Sequence, residues 1–116
     1  MSAVKHYKWY KVEEVIYWQP NNMCIVSVNG KTLTLARQNN TFFAFAHKCP
    51  HASGIMAQGF LDAAGNVVCP LHRYRFHMQT GRNVSGEGYF LKTYPVETKD
   101  DGIYIGMEEQ KFLGLF

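Results

Sequence analysis

Two short boxes, Cys49-Pro50-His51 and Cys69-Pro70-Leu71-His72, bring two thiols and two imidazoles together. These are the side chains of a mixed-ligand metal site. As a set they suit a tetrahedral zinc ion, or a 2Fe-2S cluster with the cysteines on one iron and the histidines on the other. A zinc knuckle pairs Cys with Cys and His with His at spacings that let each pair converge on one ion. Here each box mixes one Cys with one His, and Cys-x-His is too tight for such a knuckle. Two loops that each give one ligand to each of two irons account for the spacing.

Beyond the four residues, CPHASGIMAQGF at 49–60 and CPLHRYRFHMQTG at 69–81 resemble the two cluster-binding loops of Rieske 2Fe-2S proteins. The likeness continues through Met56 and Gly59 after the first box, Phe76 and Thr80-Gly81 after the second, and a closing Tyr94-Pro95-Val96. It implies one Rieske-type 2Fe-2S cluster, with Cys49 and Cys69 on the inner iron and His51 and His72 on the outer one. It also implies that both imidazole tips face solvent, where a partner can approach. Thiolates favour the ferric state of their iron, so the incoming electron is expected on the histidine iron. Ferric iron eases loss of the remaining imidazole proton, and the potential is therefore expected to fall at alkaline pH.

Departures from the family pattern carry information of their own. High-potential relatives bridge the loops with two further cysteines, at positions that hold Gly54 and Leu71 in this chain. They also offer a serine and a tyrosine hydroxyl to the cluster sulfurs, where Tyr74 and Phe76 stand here. Phe76 has no donor, and Tyr74 is too long to replace serine simply. Loss of those hydrogen bonds lowers the potential, and a value near the low end of the Rieske range, about −150 mV, is expected. The proline segment that often covers the cluster is replaced by Ser85-Gly86-Glu87-Gly88-Tyr89, whose glycines allow movement. Glu87 is expected in solvent, the alternative being a negative charge close to the site.

The elements that position the boxes are short strands. Asn29-Gly30, between two β-favouring runs over 23–36, predicts a hairpin with a type I′ turn. Gln38-Asn39-Asn40 turns the chain into Thr41–Phe45, which delivers it to the first box, and Asp62–Asn66 reverses it into Val67-Val68 and the second. Tyr74 and Phe76 share one strand face, Arg75 and His77 the other. Closing strands are expected over 89–96 and 103–106. The sum is an all-β barrel or sandwich of short antiparallel strands with a smaller cluster-binding subdomain, as the resemblance also implies. The aromatics Tyr7, Trp9, Tyr10, Tyr17 and Trp18 read as barrel packing, and the apolar tail Phe112–Phe116 is expected to pack against the barrel.

Bulk properties narrow the function. A chain of 116 residues is expected to be a single domain over 1–116. It has no room for the mononuclear iron domain of a ring-hydroxylating oxygenase. No apolar run approaches the roughly 20 residues of a membrane span and no signal-peptide core is present, so a cytoplasmic protein without a membrane anchor is expected. The formal charge of +3 does not suggest nucleic acid. Lys48, Arg73, Arg75 and Arg82 adjoin the boxes, by default as solvated surface, in the sharper reading as a basic rim steering an acidic redox partner. Cys24, in an apolar run, reads as a buried inert thiol, and His6, His47 and His77 as non-ligands.

The leading expectation is a monomeric ferredoxin, carrying one electron from a reductase to a terminal oxygenase or related oxidoreductase without catalysing a reaction. Two alternatives stay open. One is a small subunit of a larger redox enzyme such as assimilatory nitrite reductase, and the other a zinc-stabilised binding module.

Overall fold

The computed structural model describes residues 6–51, 53–86 and 88–109; the tail Phe112–Phe116 and Glu87 lie outside them. Ten strands alternate with tight turns: β1 (Tyr7–Lys11), β2 (Met23–Val28), β3 (Lys31–Gln38), β4 (Thr41–Ala46), β5 (Phe60–Leu61), β6 (Asn66–Val68), β7 (Arg75–His77), β8 (Thr93–Tyr94), β9 (Val96–Lys99) and β10 (Gly102–Glu108). They form three antiparallel sheets, ordered β1-β10-β9, β2-β3-β4-β8 and β5-β6-β7. The all-β expectation holds.

Local chemistry explains the two central hairpins. Asn29 and Gly30 take φ of 49° and 77°, the left-handed pair of a type I′ turn, and fix Val28 opposite Lys31. Asn39 and Asn40, at 52° and 61°, repeat the device and set Gln38 opposite Thr41. Asparagine tolerates this region because its side chain can bond locally.

The central sheet is a wall between two cores. Cys24, Val26, Val28, Leu33, Leu35 and Ala44 point to one side, where Val12, Ile105 and Met107 meet them. Met23, Ala36 and Phe45 point to the other, packing with Met56, Val67, Phe76 and Met78 and with both box cysteines. Phe45 and Phe76 are fully buried, each worth about 2–3 kcal/mol of transfer free energy. The second core ties the loops that carry the two boxes to the central sheet.

Three expectations need correction. The strand expected over 89–96 is only Thr93–Tyr94, followed after Pro95 by a separate β9. Tyr94 pairs with Ala44 and Val96 with Ile105, so the chain changes sheets at Pro95, which has no N–H to continue a ladder. The last strand runs from Gly102 to Glu108, beyond 103–106, because β1 pairs along it from Tyr7↔Glu108 to Lys11↔Tyr104. Tyr17 is 80% exposed and takes no part in packing, whereas Trp18 stacks on Phe42 at 5.9 Å beneath the Arg37 guanidinium.

Candidate metal centre

Each box is a loop closed by the same backbone bond. The Cys49 N–H donates to Gly54 O at 2.8 Å, and the Cys69 N–H donates to Tyr74 O at 2.8 Å. Both cysteines therefore begin a five-residue excursion that returns to them. Ser53, His72 and Arg73 hold φ of 58°, 63° and 56°, left-handed values that cost non-glycine residues energy and persist where the surroundings enforce them.

The strands behind the loops are braced by polar side chains. Asn21 Nδ2 donates to Ala57 O at 2.8 Å and Gly59 O at 3.0 Å, and Gln19 Nε2 donates to Ala57 O at 3.0 Å, holding the short 3-10 turn Met56–Gln58 of the first loop. Behind the second, Asp62 Oδ1 accepts from the Ala64 and Asn66 amides, and Oδ2 from Asn66 Nδ2 and, at 2.8 Å, Arg75 Nη1. Burial raises the Asp62 pKa, but the bonds from Asn66, Arg75 and Ala64 together outweigh it and hold the carboxyl below its ordinary value. Arg75 is thus paired with Asp62 and is not a free member of the basic rim. Lys48, Arg73 and Arg82 are exposed, as that rim requires.

The four candidate ligands come together from the two loops. Cys49 and Cys69 are buried, as neighbours. Burial pushes the Cys69 thiol up, as does the adjacent Cys49, against the pull of the Leu71 backbone N–H. The His51 and His72 rings lie 5.6 Å apart, nearly perpendicular at 83°. His51 Nδ1 is buried without a hydrogen-bond partner, while Tyr74 Oη lies 3.2 Å from Nε2. A buried ring nitrogen with no partner costs free energy unless something else fills the role, and a metal does so. Among the described residues no three Cys, His, Asp or Glu converge as a shell for a single ion. A dinuclear cluster needs no such shell, because each iron takes only two protein ligands.

Other expectations about the surroundings resolve as follows. A Cβ on Gly54 would lie 3.1 Å from Leu71 Cγ, so the positions of the missing disulfide touch and are filled by leucine. Phe76 is buried, and the Tyr74 hydroxyl reaches His51. Of the two imidazole tips expected in solvent, His72 is exposed, whereas His51 is half-buried against Tyr74 and Tyr89. Cys24 is buried in the core between the central sheet and β10, and its thiol is raised to about 11 by burial, with Glu14 adding to the shift and Arg37 opposing it. His47 is half-buried with Nδ1 unpartnered, and His77 Nδ1 lies 3.4 Å from Thr80 Oγ1. Gln19 and Asn21 went unnoticed in sequence, and Asp62 was read there only as the opening of an Asp-x-x-Gly-Asn turn, not as the partner of Arg75.

A family model described as the Rieske [2Fe-2S] domain matches residues 8–95. The 3-phenylpropionate/cinnamic acid dioxygenase ferredoxin subunit of Photorhabdus laumondii is 35% identical over 80 residues, 68% of this chain and 76% of the relative. The naphthalene 1,2-dioxygenase ferredoxin component of Pseudomonas aeruginosa is 30% identical over 101 residues, 86% of this chain and 96% of the relative. Among solved structures, a chain from the complex of reduced oxygenase and oxidized ferredoxin in carbazole 1,9a-dioxygenase superposes with a TM-score of 0.72 at 26% identity, covering 89% of this chain and 97% of the other. A chain described as the NADH-dependent nitrite reductase small subunit of Mycobacterium tuberculosis shares the fold at a TM-score of 0.72 and 16% identity, covering 93% of this chain and all of the other.

Proposed function

Because the chain belongs to the Rieske [2Fe-2S] domain family, we propose that it is a ferredoxin, a non-catalytic carrier of one electron from a reductase to a terminal oxygenase or related oxidoreductase. Its cofactor is the family's Rieske-type 2Fe-2S cluster, which supplies a one-electron couple. Cys49 and Cys69 would hold one iron, and His51 and His72 the other. The observation that carries this assignment is the pairing itself: two buried neighbouring thiols and two imidazoles 5.6 Å apart on loops of matching geometry, with His51 Nδ1 left unpartnered.

The chain's own residues prepare the rest. The matched backbone bonds at Cys49 and Cys69 orient the thiols, and the apolar residues Met56, Val67 and Phe76 exclude water behind them. His72 on the outer surface leaves a short path to a docked protein, and the exposed Lys48, Arg73 and Arg82 suit an acidic one. No helix among the described residues is long and apolar enough to cross a membrane.

Iron and sulfide analysis with visible and electron paramagnetic resonance spectra tests the reading. A coloured protein, paramagnetic when reduced, is expected, with Cys69→Ser losing the cluster. An unchanged spectrum in Cys69→Ser would show the ligand assignment to be wrong. The nitrite reductase subunit reading rests on the fold alone, and copurification with a large partner would favour it.

A further inference from the structure

The two histidines sit in different surroundings. The His51 ring centroid lies 4.3 Å from that of Tyr74, tilted by 52°, and 4.9 Å from that of Tyr89, at 65°. The two tyrosine rings are 6.4 Å apart and within 20° of parallel. At the edge of this aromatic group, Tyr74 Oη meets His51 Nε2 at 3.2 Å. His72 lies 6.3 Å from Tyr74 and is exposed.

We propose that Tyr74 and Tyr89 form a clamp on His51, positioning residues that fix its ring and cover its outer nitrogen, so that a redox partner meets His72 and not His51. The inference rests on the ferredoxin reading and names which face of that site is used. Its chemistry follows from the two ring nitrogens. With Nδ1 turned to iron, Nε2 carries the hydrogen and donates it to the Tyr74 hydroxyl oxygen, which fixes the tautomer and makes the imidazole a stronger donor to its metal. Contacts with two aromatic rings leave His51 little freedom to rotate and little room for water at its outer edge.

Tyr89, the ring that meets His51, is 43% exposed, and Leu71, next to His72 in the chain, is 46% exposed. Tyr89 lies three residues after Gly86, at φ 99°, in the glycine-containing segment that begins at Ser85. Upstream, that segment is tied down at Ser85, whose Oγ accepts from the Arg75 N–H at 2.8 Å and donates to Asn83 Oδ1 at 2.9 Å. Tyr89 thus sets its ring against the candidate ligand His51.

The test uses the cluster-loaded, 15N-histidine-labelled protein, read by electron–nuclear double resonance in the reduced state after timed transfer to D2O. Two unequal nitrogen couplings are expected, one from a histidine whose N–H exchanges at least tenfold more slowly than the other. Tyr74→Phe keeps the ring and removes the hydroxyl; it should shift only one coupling and raise the midpoint potential. Tyr89→Ala should speed the slow exchange while leaving the fast one unchanged. Equal exchange in the wild type, or a Tyr74→Phe variant that shifts neither coupling nor potential, would overturn the clamp. Iron content is measured first. A coloured protein with equivalent histidines overturns the clamp alone, and a colourless one overturns the ferredoxin reading and the clamp together.

Discussion

Asp62→Ala removes the joint between the two strands that carry the second box. Its carboxylate accepts four hydrogen bonds: the Ala64 and Asn66 amides, Asn66 Nδ2 and Arg75 Nη1. Ala64 is exposed and its amide can turn to water, so its loss costs little. Asn66 is 7% exposed, and two of its donors lose their acceptor inside the protein, at about 1 kcal/mol each or more. The Arg75 pair is partly exposed and adds about 0.5 kcal/mol. The sum is about 2–3 kcal/mol, which for a chain of this size lowers Tm by about 10 °C. Asp62→Asn should cost nearly as much, because its amide would face the Arg75 and Asn66 donors with a donor of its own.

The same carboxyl shapes the acid limb of stability. Its folded pKa is held below the unfolded value of about 3.9, so its contribution is complete above that pH and fades as pH falls through the folded pKa. Urea denaturation from pH 6 down to pH 2.5 should therefore show the wild-type advantage over Asp62→Ala shrinking in acid. A loss under 0.5 kcal/mol at pH 6, or an advantage that persists unchanged at pH 2.5, would refute the reasoning.

Gly81→Ala places a Cβ 2.0 Å from Leu91 O at φ 78°, and overpacking plus left-handed strain should cost more than about 3 kcal/mol, visible as a collapse in soluble yield and Tm. Gly86→Ala, at φ 99° with no atom within 4 Å, should cost only about 1 kcal/mol. Arg73→Gly relieves a left-handed backbone at φ 56° and should raise stability by up to about 1 kcal/mol; a measured loss would contradict the strain. Cys24 should resist iodoacetamide at pH 8 in the native protein. Its folded pKa of about 11 lies above the ordinary 9.0, so its stabilising contribution is present below pH 9 and lost as pH rises toward 11; Cys24→Ala should flatten that alkaline limb in urea titrations.

What the sequence revealed was local. Asn29-Gly30 and Asn39-Asn40 encode their own φ angles, so both hairpins were legible, and the Cys/His spacing announced the two loops. What stayed hidden depends on partners far along the chain. β1 lacks clean alternation and owes its form to pairing with β10, nearly a hundred positions on. Pro95 was visible, but not that Tyr94 and Val96 pair in different sheets. Asp62 reads as a turn residue until Arg75 folds onto it. Tyr74, judged only as a poor replacement for serine, directs its hydroxyl at His51 across 23 positions.

The most direct test of the central claim is a spectroelectrochemical titration of the anaerobically purified protein, followed by electron paramagnetic resonance. Cys49, His51, Cys69 and His72 around a single Rieske cluster predict a one-electron couple near the low end of the Rieske range, about −150 mV, with histidine nitrogen coupled to the reduced iron. A potential well above zero, a signal without nitrogen coupling, or a colourless zinc protein would contradict it.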